Sequence, residues 1–143
     1  MKIFLHTLII ALFIISVNNV FGQQKALHFE RNSCVDIPEI TDLEGTAART
    51  VEAWIRVPTS SLDWWQPVIV EWGVNTSGQK WDFRLDHYRL RVEHGGGYAI
   101  ATTTLNDSLW HHIAVTADAN SNITDVHFYI DGVEDPISDS KGG

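Results

Sequence analysis

Apolar and polar residues alternate with a period of two along most of the chain. "KALHF" (25–29) sets Leu27 and Phe29 against polar neighbours, and "SCVDIP" (33–38) does the same with Val35 and Ile37 before Pro38. "TVEAWIRVP" (50–58) puts Val51, Ala53, Ile55 and Val57 on one side and Glu52, Trp54 and Arg56 on the other. "PVIVEWG" (67–73) is a nearly continuous apolar run closed by a glycine. "KWDFRLD" (80–86), "RLRVE" (89–93), "YAIATTTL" (98–105), "WHHIAVTA" (110–117) and "DVHFYIDG" (125–132) follow. A period of two bounded by Gly, Pro, Asn and Asp marks strands. Many short strands at regular spacing predict an all-β sandwich. Only residues 39–49 hint at a helical turn, and "VEDPISDSKGG" (133–143) reads as a polar, turn-like tail.

The first 22 residues carry a different pattern. Lys2 precedes an apolar run from Ile3 to Val17, and Val20-Phe21-Gly22 offers a cleavage site before Gln23. That is the form of a secretory signal peptide, and the run is short of the roughly 20 residues that span a bilayer. The expectation is export, to the medium or the cell surface, with a domain beginning at residue 23. The whole chain has a net charge of −8, and removing residues 1–22 takes away only Lys2 among its charges. So acidic a balance disfavours nucleic acid and anionic membranes as partners, both of which need clustered Lys and Arg. Cys34 is the single cysteine, so no intrachain disulfide forms. It reads as a small strand residue.

The segment "SLWHHIAVTAD" (108–118) invites a metal or catalytic reading of His111 and His112. Strand alternation argues otherwise, because neighbouring side chains point to opposite faces. His111 falls with Ile113 and Val115, and His112 with Trp110, Ala114 and Thr116. One ring is expected to tuck against the core and the other to lie on an outer face. Trp72, Trp81 and Trp110 read as core residues. Trp54 differs, since it shares a face with Glu52 and Arg56. Trp64 and Trp65 are adjacent in the loop "SSLDWWQP", where both rings are hard to bury. Flat rings stack on sugar faces while polar neighbours bond hydroxyls, so Trp64, Trp65, Asp63 and Gln66, with Trp54, are the candidate ligand-binding residues. Packing of the loop onto the sandwich is the competing reading.

The order "ALHFERNSCVDIP", "TVEAWIRVP", "PVIVEWG", "RLRVEHGGG", "SLWHHIAVTAD", "FYIDG" resembles the laminin-G-like jelly-roll domains of the concanavalin A-like lectin/glucanase superfamily, bacterial type. The resemblance spans residues 25–132. It implies an antiparallel jelly-roll β-sandwich over residues 23–132. Because such domains usually continue past the D-G turn, it also implies truncation at the C-terminus, with 133–143 as the start of missing strands and low stability for the chain alone.

The resemblance further implies a secreted, non-catalytic binding module, for carbohydrate or another extracellular surface ligand, within a larger surface protein. A structural adhesion module without a small ligand is the bland alternative. A glycoside hydrolase is another. The laminarinase-like branch carries E-x-D-x-x-E, and none of the glutamates here fits it. Asp82 and Asp86 share a strand face across Arg84 and, with Glu71, are the acids such an enzyme would use; the plainer reading is a solvated face with charge pairing. Many laminin-G-like domains hold a rim calcium. Here "DANSN" offers Asp118, Asn120 and Asn122 as oxygen ligands, although it fails as an EF-hand and also reads as a hairpin turn.

Overall fold

A computed structural model describes residues 25–30, 33–38, 47–59, 66–74, 76, 79–94 and 96–142. The chain divides into two compact units, residues 1–38 and 39–143.

In the first unit, residues 25–30 and 33–38 form no strand, and all of them are exposed, Leu27, Phe29, Val35, Ile37 and Cys34 included. This corrects the strand reading of both segments. Alternation says which side of a strand would be buried. It does not supply the neighbour that pairs its backbone groups.

The second unit contains nine strands among the described residues: β1 (Arg49–Arg56), β2 (Val68–Gly73), β3 (Lys80–Asp86), β4 (Arg89–His94), β5 (Gly97–Thr104), β6 (Trp110–Ala117), β7 (His127–Ile130), β8 (Val133–Asp135) and β9 (Ile137–Lys141). A 3-10 turn covers Ile123–Asp125. The strands form two antiparallel sheets, one ordered β1-β6-β7-β8 and the other β2-β3-β4-β5-β9. They pack face to face as a sandwich. Strands expected from alternation between residues 50 and 130 appear within a residue or two of their expected ends. No helix among the described residues is long and apolar enough to cross a membrane.

The inward-facing half of each strand makes the core. Phe83, Leu90, Val92, Ala99 and Ala101 come from the five-stranded sheet, and Ile113, Val115 and Phe128 from the other. Phe83 and Phe128 are fully buried and stack across the interface with ring centroids 6.5 Å apart. Each such side chain contributes about 1.5–3 kcal/mol by leaving water. Ile123 and Val126 from the 3-10 segment join the same core.

The turns follow from local sterics. Asp131 (φ 51°) and Gly132 (φ 80°) make the left-handed pair that a two-residue hairpin between β7 and β8 requires. His87 (φ 48°) and Tyr88 (φ 66°) do the same between β3 and β4 without glycine. At Gly73 (φ 91°) a Cβ would lie 2.0 Å from the Gln79 carbonyl oxygen, so only glycine fits where β2 ends.

Residues 133–141, read from sequence as turn-like, are strands. The chain changes sheets here, β8 closing the four-stranded sheet and β9 the five-stranded one. Asp135 holds the corner: its carboxylate accepts from the backbone N–H groups of Thr102 (3.1 Å) and Thr103 (2.9 Å) and from the Thr103 hydroxyl (2.8 Å). Ser138 donates to the carbonyls of Ile100 and Ala101, beside the bulge between them.

Candidate functional site

The outer face of the four-stranded sheet is built from every second residue of β1 and β6. Burial alternates strictly along β1, with Glu52, Trp54 and Arg56 outward. In register, Trp54 lies opposite His112, Arg56 opposite Trp110, and Glu52 opposite Ala114. Trp54 and Trp110 are therefore diagonal neighbours on one face, within reach of long side chains. Trp54 is 63% exposed and Trp110 48%. The His112 ring packs on Trp54 at 5.4 Å between centroids, and its Nε2 lies 3.6 Å from Glu52. Tyr129 of β7 continues the face opposite Ala114, and His127 pairs with Glu134 at 2.7 Å. The result is an open aromatic surface rimmed by Glu52, Arg56, His127 and Glu134. Trp110, read from sequence as core, belongs to it: on β6 the inward places go to His111, Ile113 and Val115.

The outer face of the five-stranded sheet is charged and closed. Asp82 is fully buried. Arg84 grips it in a two-point contact, and the Lys80 ammonium lies 3.0 Å away while also reaching Glu71 at 3.3 Å. Asp86 accepts from Arg91 at 3.0 Å and from Gln66 at 3.1 Å, and contacts the His87 ring at 2.7 Å. Arg91 reaches Glu93 at 2.9 Å and stacks over Tyr98. Gln66 links the two aspartates by accepting from Arg84 at 3.0 Å. The charge pairing expected of this face is present, and it closes over two buried aspartates, Asp82 and Asp86. Burial acts to raise the pKa of Asp82, and the hydrogen bonds and charges of Arg84 and Lys80 overcome it, holding the carboxyl below its ordinary range. Asp86 is lowered in the same way, against its own burial, by Arg91, His87 and Gln66.

His111 sits at the end of the sandwich where β6 begins. Its Nδ1 lies 2.7 Å from Asp131, and its Nε2 lies 3.1 Å from Asp107. His111 and His112 thus separate as strand alternation predicts. One is hydrogen-bonded at the core edge, and the other packs on an outer face.

The family model of laminin-G-type domains, in the concanavalin A-like lectin/glucanases superfamily, matches residues 29–143. The chain belongs to that superfamily. No curated protein and no solved structure matches it.

In this laminin-G-like domain the sequence candidates do not converge. Asp63, Trp64 and Trp65 lie outside the described residues. Gln66 is on the outer face of the five-stranded sheet, tied to Arg84 and Asp86, whereas Trp54 is on the outer face of the four-stranded sheet. These are opposite sides of the sandwich, so Gln66 and Trp54 do not share one site. Two members of the Trp54 face, Trp110 and Tyr129, were missed. Counting alternate residues outward from Trp54 and His112 would have found Trp110.

The "DANSN" segment is a turn. The Asp118 carbonyl accepts from the Ser121 N–H and hydroxyl, Asn120 takes a left-handed φ of 59°, and Asn122 leads into the 3-10 turn. Calcium takes six to eight oxygens, several from carboxylates. Asp118 is the one carboxylate among the three candidate residues, with Asn120 and Asn122 offering amide oxygens.

Proposed function

We propose that this laminin-G-like domain is an exported, non-catalytic module that binds carbohydrate on the outer face of its four-stranded sheet, as part of a larger extracellular or cell-surface protein. The observation that carries the reading is the pair of exposed tryptophans on one face, Trp54 and Trp110, with His112 packed against the first. Exposed indoles bordered by polar side chains suit the C–H faces and hydroxyls of sugars. The acidic chain favours neutral glycans over sulfated or uronic ones. Export rests on the apolar segment of residues 1–22, which lies outside the described residues.

The two aspartates of the hydrolase alternative argue for the binding reading. A glycosidase needs one carboxyl kept protonated to serve as the acid. Asp82 and Asp86 are both held ionised by cations, and Asp82 is sealed beneath them.

A neutral-glycan array tests the proposal. Trp54→Ala and Trp110→Ala are each expected to weaken retention about tenfold or more, about 1.4 kcal/mol. Retention before and after chelation with EDTA tests whether binding needs calcium. A silent array, with protein partners recovered instead, would turn the reading toward an adhesion module without a sugar ligand.

A further inference from the structure

Three segments meet at His111. The β5–β6 loop reaches it through Asp107, whose carboxylate also accepts from the Leu109 N–H at 2.9 Å. The β7–β8 turn reaches it through Asp131, whose second oxygen accepts from the His112 N–H at 2.9 Å, while the Asp131 N–H donates to the His112 carbonyl at 2.8 Å. The stretch after β1 is tied to the same loop, the Ser108 N–H donating to the Val57 carbonyl and the Thr59 N–H to the Ser108 hydroxyl. Ser108 (φ 64°) and Asp131 (φ 51°) both hold left-handed backbone at this junction. Trp110 and His112, on either side of His111 in β6, are members of the aromatic face.

We propose that His111 is the positioning residue of that face: as an imidazolium bonded at both ring nitrogens it clamps the β5–β6 loop to the β7–β8 turn, fixes the start of β6, and makes ligand binding weaken as the pH rises. The inference rests on the reading of the Trp54–Trp110 surface as the binding site.

The chemistry of the ring sets the sign. An imidazolium donates from both nitrogens, so it satisfies Asp131 and Asp107 together. A neutral imidazole has one N–H and turns a lone pair toward the second carboxylate, so one of the two ties is lost. Cross-strand, His111 faces the uncharged Ile55. The charged groups facing its ring are Asp107 from the loop and Asp131 from the turn. Arg56, the Glu52–His112 pair and the His127–Glu134 pair lie on the opposite face. The bond to Asp131, aided by Asp107 and opposed by partial burial, raises the imidazole above its ordinary value of 6.5. The clamp is therefore complete below the ordinary value and opens as the pH climbs through the raised one.

Ring-nitrogen NMR titration of the full chain, with hydrogen exchange of the Leu109 and His112 amides corrected for intrinsic rates, tests this. His111 is expected to titrate above 6.5, and amide protection to fall about tenfold or more across that titration. In Asp131→Asn, which removes the charge and keeps an acceptor, both midpoints are expected to move down. On the neutral-glycan array, wild-type retention is expected to be higher at pH 6 than at pH 8.5. A His111 that titrates at or below its ordinary value, or protection unchanged through its titration, overturns the clamp. Equal retention at both pH values, with the clamp opening, overturns the positioning role and leaves the binding reading standing. An array silent at both values removes that reading and the positioning role with it, while the titration still decides the clamp.

Discussion

The two outer faces of this sandwich are made by the same rule and end in opposite states. On β1 every second residue stands in solvent, and Trp54, with Trp110 of β6, keeps its ring open. On β3 and β4, every second residue is charged, and Asp82, Arg84, Asp86 and Arg91 are turned on one another. Alternation assigns a side chain to a face and says nothing about whether that face is free. On the charged face Asp82 and Asp86 are already paired with Arg84, Lys80 and Arg91, so a ligand would have to break existing pairs to bind them. The aromatic face offers polarisable surface with polar groups at its edge and no such cost.

The largest separation between the faces should come from Asp82→Ala. It strands Arg84 and Lys80 against a buried face, and a broken buried pair costs about 3 kcal/mol or more. Urea unfolding is expected to show that loss while glycan retention at the aromatic face stays within about twofold under native conditions. Equal damage to both would mean that the faces are not independent.

Acid gives a smaller and differently signed contrast. Asp82 and Asp86 are lowered in the folded protein, so their stabilisation is present above the ordinary value of 3.8 and is lost as the pH falls through the lower folded values. His111 behaves in reverse, its contribution being full at low pH and lost as the pH rises through its raised value. Melting temperature against pH is expected to fall on the acid side below about pH 4, and Asp82→Asn is expected to flatten that slope. The smallest effect belongs to Trp54→Ala. With its ring 63% exposed, the change in unfolding free energy should be within about 0.5 kcal/mol, despite the loss of glycan binding. A large destabilisation would assign Trp54 to structure.

The sequence made the sandwich legible wherever alternation and partner occur together. The strands from Arg49 to Ile130, the inward set of Phe83, Leu90, Val92, Ile113 and Val115, and the split of His111 from His112 all follow from a period of two. Residues 25–38 show its limit, since Leu27, Phe29, Val35 and Ile37 alternate as well as any strand yet stand exposed and unpaired by any ladder. Residues 137–141 show the converse. "ISDSK" has one partly buried apolar residue, Ile137, and is held by its ladder to β5 and by Ser138, neither of which leaves a hydropathy signal. The candidate site was half visible. Trp54 was found from its polar neighbours on β1, but Trp110 was assigned to the core because tryptophans usually are buried, and Gln66 was grouped with Trp54 although the fold sets them on opposite sides.

The corner at Asp135 has a consequence for how the molecule assembles. One short run, β8 to β9, belongs to both sheets, and its carboxylate reaches back 33 residues to Thr102 and 32 to Thr103. During synthesis β5 emerges long before β9 does, and its outer edge waits with unmet backbone groups until residues 137–141 arrive. Contacts of such sequence separation are slow to close. Completion of the five-stranded sheet thus waits on β9, and until it arrives the open edge of β5 is exposed to pairing with a neighbour.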